Sequence, residues 1–171
     1  MNDSVRNPFQ EHVGRVLLLV DGYTTPTAGL RGWDSVARTD FLLRYPTVLA
    51  EVLHQRGAEM PARLAATETE QLAAAGLPLR FKFGPWEAAY YPVVGHLVST
   101  RLVQRSWTGP RVELRSTSKG RQTAEQLEQE GWAIQRARAQ LLGRKVRLFS
   151  HALTDEIEMA LANAEDFEVR A

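Results

Sequence analysis

Apolar residues in the N-terminal half of the chain recur at helical spacing. In residues 9–23, four of them fall three, one and three positions apart: Val13, Val16, Leu17 and Val20. This spacing predicts a helix with one face toward a core. Similar patterns predict a second helix over residues 34–45 and a third over residues 47–55.

Capping and turn residues mark where these helices begin and end. Asp34, or the serine after it, can cap the second helix, and Pro46 ends that helix and opens the third. Thr67 followed by Glu70 forms a capping box, which predicts a short helix. Residues 60–64 fit a further helical turn or a surface loop equally well.

The C-terminal half alternates the signals of helices and strands. The predicted order is a strand over 79–83, a helix over 93–101, strands over 102–107 and 111–115 joined by a turn, and a long helix over 121–142 broken near Gly131. After three helices, the order helix, strand, tight turn, strand, helix is that of a winged helix–turn–helix domain. The two strands and their turn would form its wing.

A last helix is predicted from Thr154 to Ala164. Its apolar stripe is narrow, with one residue in every four: Leu153, Ile157 and Leu161. We therefore expect an α+β fold that is mainly α, with a winged helix–turn–helix domain over residues 1–145 and a C-terminal helical extension over 146–171.

Composition narrows the class of protein. The chain has 171 residues, 44% of them hydrophobic, and no cysteine, so it can bury one sizeable core but has no disulfide, thiolate metal site or cysteine nucleophile. It shows no secretory leader and no apolar run near the roughly 20 residues that span a bilayer. We expect a cytoplasmic protein without membrane contact.

The sequence carries no recognisable catalytic motif. Phosphate-binding loops, nucleophile elbows and paired-histidine zinc motifs are all missing from it. The histidines are far apart, at positions His12, His54, His96 and His151. We expect no enzyme, no cofactor, no metal and no small-molecule substrate.

Charge supplies the strongest functional signal. The formal net charge is only +1, but residues 101–121 carry a net +5, from six cations opposed only by Glu113, while residues 154–171 carry a net −5. The candidate nucleic-acid-binding residues are Arg101, Arg105, Arg111, Arg115, Lys119 and Arg121. A wing with arginines can contact the phosphate backbone, although a solvated strand face or a protein contact explains the same pattern.

The acidic C-terminal helix is open to two interpretations as well. It can be an ordinary solvated face, or its stripe of Leu153, Ile157 and Leu161 can dock on a partner protein.

The helix over 93–101, which would be the recognition helix, offers few groups that read base edges, and this disfavours a sequence-specific operator protein. The aromatic cluster of residues 81–91 favours core packing over base stacking.

Three segments have distinctive sequences. They are Asp-Phe-Leu-Leu-Arg-Tyr-Pro at 40–46, Phe-Lys-Phe-Gly-Pro-Trp at 81–86 followed by Tyr-Tyr-Pro at 90–92, and Ser-Thr-Ser-Lys-Gly at 116–120. In this order, over about residues 9–145, they resemble small bacterial winged-helix proteins that accompany SMC-like or ABC-type ATPases. These are the middle components of ABC three-component anti-phage systems such as Lamassu, with distant similarity to MukE-type subunits of bacterial condensins.

The resemblance implies a non-catalytic accessory subunit in anti-phage or anti-plasmid defence. Its partners would be an SMC/ABC-type ATPase and sibling subunits, with the wing near the DNA backbone. Two alternatives stay open, a stand-alone MarR- or PadR-like transcription regulator and a winged-helix antitoxin or adaptor without DNA contact.

Overall fold

Helices make up most of the part of the chain that the structure, a computed structural model, describes: residues 7–74, 88–146 and 150–168. The helices are α1 (Pro8–Tyr23), α2 (Trp33–Arg44), α3 (Pro46–Gln55), α4 (Glu68–Ala74), α5 (Tyr90–Ser99), α6 (Ser118–Leu127), α7 (Ala133–Lys145) and α8 (Ser150–Glu168). The strands are β1 (Leu30–Arg31), β2 (Val103–Thr108) and β3 (Arg111–Ser116). The fold is therefore α+β and mainly α.

Helix α1 is surrounded by the rest of the fold. It packs against α2, α5, α6, α7 and β3. Residues 16–20 are all 0 or 1% exposed. A helix that is apolar around its whole circumference is buried on every side. The predicted stripe is therefore too narrow, because Leu18 and Leu19 are buried as deeply as Val16 and Val20.

Glycines allow α1 and α7 to approach each other closely. A Cβ on Gly143 would lie 1.9 Å from the carbonyl oxygen of Gly22, and a Cβ on Gly22 would lie 2.5 Å from that of Ala139. No side chain fits at either position without moving a backbone. The two helices thus pack main chain to main chain at this crossing.

The sheet is small and antiparallel, in the order β1–β3–β2. Strands β2 and β3 form a hairpin in which Thr108 pairs with Arg111 across a two-residue turn. Gly109 takes a φ of 59° at the first turn position, where a left-handed residue suits the twist of the strands. The sequence predicts this hairpin but not β1, which is only two residues long.

Several predicted boundaries are confirmed. The backbone amide of Thr67 donates to the Glu70 carboxylate at 2.9 Å, and the Glu70 amide donates to the Thr67 hydroxyl at 3.3 Å, as a capping box requires. The break near Gly131 is also present, since this glycine has a φ of 98° between α6 and α7. Residues 62–64 form a short 3₁₀ turn. The predicted strand at 79–83 lies outside the described residues.

The start of α2 differs from the prediction. Gly32, with a φ of 85°, occupies the N-cap position, and no side chain caps the helix. Asp34 instead lies in the first turn, largely exposed to solvent. The glycine lets the chain turn sharply out of β1 and into α2.

The apolar stripe of α8 requires a correction. Leu153, Ile157 and Leu161 are buried in the same hydrophobic core as the rest of the chain. Helix α8 packs there against α2 and α3. These side chains fill the protein's own core, so they present no surface to a partner, and the interpretation of the stripe as a docking site is wrong.

Candidate nucleic-acid interface

The hairpin has one anchored strand and one exposed strand. In β3, residues 112–114 are buried. In β2, only Val103 is buried, and the five residues that follow it are exposed. Because β2 is an edge strand of the sheet, it presents these side chains to solvent on a well-defined backbone. The predicted basic residues lie on this hairpin and on the segments that flank it.

The junction between α5 and β2 has a well-defined backbone geometry. The amide of Leu102 donates to the Leu97 carbonyl at 2.9 Å, and the amide of Arg101 donates to the Val98 carbonyl at 3.0 Å. This pair of hydrogen bonds is the Schellman motif that ends many helices. The Thr117 hydroxyl, at the start of α6, donates to the Arg101 carbonyl at 2.7 Å and fixes the junction from the other side.

Arg101 occupies the left-handed position of that motif. Its φ is 62°, and it is the one residue other than glycine with a positive φ among the described residues. A left-handed backbone costs a residue with a Cβ about 1–2 kcal/mol, which is why glycine is usual there. The Arg101 side chain is exposed and makes no hydrogen bond or ion pair with the described part of the chain.

Two more of the six candidate cations are exposed in the same way. Arg105 and Arg111 have no polar partner among the described residues. Register places them on opposite faces of the hairpin, because Arg105 pairs with the core-facing Leu114 while Arg111 pairs with Thr108. One arginine is therefore available on each face.

The remaining three cations contact the protein itself. Arg115 donates to the carbonyls of Thr25 and Pro26 at 2.7 and 2.9 Å, which fastens β3 to the loop after α1. Lys119 donates to the Thr100 carbonyl at the end of α5, at 3.0 Å. Arg121 lies 3.9 Å from the carboxylate of Asp21 and is 60% exposed. The six cations predicted from charge alone thus divide into two groups of three: those exposed without a polar partner among the described residues, and those that contact the protein.

Glu113, the one acid of the hairpin, is neutralised inside the fold. It is buried and forms an ion pair with Arg31 of β1, and the Thr108 hydroxyl lies 3.4 Å away. The sequence gives no sign of the role of Arg31, because the two partners are 82 residues apart and β1, only two residues long, has no strand signature. The pairing removes the only negative charge from the exposed surface of the hairpin.

The exposed face of α5 offers little for base recognition. The hydroxyls of Ser99 and Thr100 both donate to the His96 carbonyl, at 2.9 and 2.7 Å. The His96 ring itself meets Phe9 edge-on, with 5.8 Å between ring centroids. Three polar residues at the C-terminal end of this helix, His96, Ser99 and Thr100, thus already have contacts within the protein.

The charged residue Asp40 is fully buried. Its carboxylate accepts hydrogen bonds from Arg15 at 3.0 Å and from the Tyr90 hydroxyl at 2.8 Å, and Arg44 lies 3.3 Å away. Nε2 of His12 lies 3.6 Å from it. We call this group of five residues the Asp40 node. It joins α1, α2 and α5 around a carboxylate that has no exposed atom.

A buried arginine, Arg138, positions the segment before α4. Arg138 donates to the carbonyls of Leu64 and Ala65, each at 2.9 Å, and to both carboxylate oxygens of Glu70. These hydrogen bonds from Arg138 lower the pKa of Glu70 from its ordinary 4.5 to about 2. In the core, burial raises the pKa of Tyr23, whose hydroxyl donates to the Val146 carbonyl at 2.8 Å.

The aromatic residues near α5 have different environments. Tyr90 is buried, as predicted for core packing, whereas Tyr91 is exposed and contacts the ring of Trp33 at a tilted angle, with 4.9 Å between ring centroids. Phe81, Phe83 and Trp86 lie outside the described residues. Trp107, which was not among the residues predicted to have a function, is 64% exposed on β2. Its exposure could have been predicted from the sequence, because it lies beside the Thr-Gly-Pro turn on a strand with polar neighbours.

Comparisons of the chain with protein-family models, with curated proteins and with solved structures found no match. Within residues 7–74, 88–146 and 150–168, no group of histidine, aspartate and glutamate side chains could hold a metal ion. None of the helices in that part of the chain combines the length and apolarity needed to cross a membrane.

Proposed function

We propose that this chain is a non-catalytic winged-helix protein that binds the sugar–phosphate backbone of DNA through its β2–β3 hairpin and the α5–β2 junction. Three cations would make the contact: Arg101 before the hairpin, Arg105 on β2 and Arg111 on β3. The same chain would act as the accessory subunit of an SMC/ABC-type ATPase in anti-phage or anti-plasmid defence.

The conformation of Arg101 carries the proposal. Stability alone favours glycine in a left-handed position, yet this position holds an arginine with an exposed side chain and no partner in the described residues. Strained residues of this kind concentrate at functional sites. The strain is best explained by a ligand that needs a cation at the base of the hairpin.

The distribution of the free cations supports a nucleic-acid ligand. Arg105 and Arg111 lie on opposite faces of the hairpin, and Glu113 is removed from its surface by Arg31. A narrow hairpin with a cation on each face can lie in a groove of DNA between two phosphate backbones. The internal hydrogen bonds of Ser99 and Thr100 favour contact with the backbone over the reading of bases.

The ATPase partnership is supported by sequence resemblance, chiefly that of residues 81–86 and 90–92. The Ser-Thr-Ser-Lys-Gly segment at 116–120 is of a kind common to many winged helices. In that segment Thr117 caps α6 and joins it to the junction.

Salt dependence of binding tests the DNA contact. Affinity for a labelled duplex of random sequence would be measured by fluorescence anisotropy between about 50 and 200 mM salt. Three phosphate contacts predict a slope of about −2.7 in the plot of log affinity against log salt concentration. Arg101→Gly should lower the affinity, flatten the slope by about 0.9 and raise the free energy of unfolding by about 1 kcal/mol.

For Arg101→Gly, a gain in stability together with a loss of DNA affinity is the result that supports the proposal. Arg63, an exposed arginine of the 3₁₀ turn, provides the matched control, and Arg63→Gln should leave the slope unchanged. If Arg101→Gly and Arg105→Gln both bind DNA like the original protein, the proposed contact is wrong. Tight binding to one promoter sequence by a homodimer would instead identify a transcription regulator.

Co-expression tests the partnership separately. If an SMC/ABC-type ATPase is encoded beside this chain, the two proteins should co-elute in size-exclusion chromatography. If the chain elutes alone while that ATPase is present and folded, the role as its accessory subunit is contradicted, whatever the DNA measurements show.

A further inference from the structure

Three aromatic side chains of the described residues are exposed, and one of them stands apart. Phe9 contacts the ring of His96, and Tyr91 contacts that of Trp33. Trp107, the most exposed of the three at 64%, has no ring partner in the described part of the chain. An indole left open on a folded strand is therefore available to a ligand.

The backbone holds this indole in a defined place. Trp107 pairs with Val112, and Val112 is buried beneath the sheet. By the alternation of a strand, Trp107 lies on the same face as Arg105, two residues earlier. Both are exposed, and within the described part of the chain β2 forms the edge of the sheet. A ring on a paired strand loses little conformational freedom when it binds.

The surroundings of Trp107 match a nucleic acid better than a protein. Its neighbours on β2 and at the turn are polar, with Ser106 and Thr108 adjacent, and the charges nearby are Arg105 and Arg111. Protein-binding surfaces centre on an apolar patch, and this strand has none around its single ring. Sites for single-stranded DNA combine cations along a backbone with an aromatic ring on which a base stacks.

We propose that Trp107 stacks on an unpaired DNA base, so that the hairpin prefers DNA containing a single-stranded gap to intact duplex. This rests on the proposed DNA contact and specifies its substrate. In a duplex each base is already stacked on its neighbours and offers no face to the indole. At a gap the base is free, Arg105 lies beside the adjoining phosphate, and Arg111 can contact the flanking duplex.

Binding to two DNA substrates of the same length, one intact and one gapped, tests the preference. We expect the original protein to bind the gapped DNA about tenfold more tightly, in line with the contribution of one stacked base. Trp107→Ala should abolish that difference and leave both the duplex affinity and the salt slope unchanged. Trp107→Phe, which keeps a ring, should retain most of the preference.

Two further measurements separate the possible outcomes. The Trp107 emission, taken as the difference between the original protein and Trp107→Phe, should be quenched by gapped DNA and not by duplex. Tyr91→Ala, which removes another exposed ring, is the control and should keep the preference.

The measurements test the preference for gapped DNA and the contact with the DNA backbone independently. If Trp107→Ala keeps the preference for gapped DNA, or if there is no preference, the stacking proposal is wrong while the backbone contact stands. If the original protein shows no salt-dependent binding to any DNA, the proposed function itself fails. If Trp107→Ala binds DNA normally but no longer co-elutes with the ATPase, the indole belongs to a protein contact.

Discussion

The Asp40 node and the β2–β3 hairpin use the same residue types in opposite ways. In the node, Arg15, Arg44 and Tyr90 surround one carboxylate that has no exposed atom. On the hairpin, Arg105 and Trp107 are exposed, and among the described residues Arg105 has no carboxylate partner and Trp107 no ring partner. The charges of the node are balanced within the fold, whereas Arg105 has no opposite charge beside it among the described residues.

This difference shows why charge counts alone cannot locate an interface. A buried arginine next to a carboxylate holds helices together and contributes nothing to the surface potential. An exposed arginine without a partner contributes little to stability but keeps its full charge for a ligand. The hairpin region contains both kinds, since Arg115 is bound to two carbonyl groups and Arg111 is not.

Loss of Asp40 should produce the largest change in stability. Asp40→Ala leaves Arg15 and Arg44 part-buried without their counter-charge, and we expect the free energy of unfolding to fall by about 3–5 kcal/mol. Urea unfolding followed by circular dichroism measures this. The folded variant should bind DNA normally, because the junction at Arg101 is held separately by Thr117.

The exposed carboxylate of Asp34 gives the matched control on the same helix. Its side chain is 72% exposed and lies 4.0 Å from Arg38, so Asp34→Ala should change stability by no more than about 0.5 kcal/mol. Equal effects of the two substitutions would contradict the contrast between the node and the surface.

Arg115 sharpens the comparison within the hairpin itself. Arg115→Gln removes two hydrogen bonds from a charged group to the carbonyls of Thr25 and Pro26, and we expect a loss of about 1–2 kcal/mol of stability. The slope of DNA affinity against salt should not change. A slope flatter by about 0.9 would show that Arg115 also contacts a phosphate.

Local signals in the sequence predicted much of the fold. The helical spacing of residues 9–23, the capping box at Thr67 and the break at Gly131 each involve residues close together in the chain. The hairpin followed from its turn residues, Thr108 to Pro110, for the same reason.

Features that depend on distant partners could not be predicted in this way. The carboxylate of Asp40 is buried because Tyr90 and Arg15 reach it from other helices, 50 and 25 residues away. Likewise the stripe that includes Leu153 shows an apolar face but not what covers it. The division of the basic cluster into free and bound cations depends on carbonyl groups of a loop, such as that of Thr25.

The last effect concerns pH and is expected at the Glu70–Arg138 pair, which is intermediate between the two regions. Arg138 is buried, but its partner Glu70 is partly exposed, and the pKa of Glu70 is about 2 instead of 4.5. The carboxylate's contribution to stability is complete above pH 4.5 and is lost as the pH falls toward 2, because the unfolded chain takes up this proton first. Glu70→Gln should therefore reduce the slope of unfolding free energy against pH between pH 4.5 and 2, by at most the amount that corresponds to the uptake of one proton. Urea unfolding at a series of pH values measures this slope. An unchanged slope would mean that Arg138 is held by the carbonyls of Leu64 and Ala65 alone.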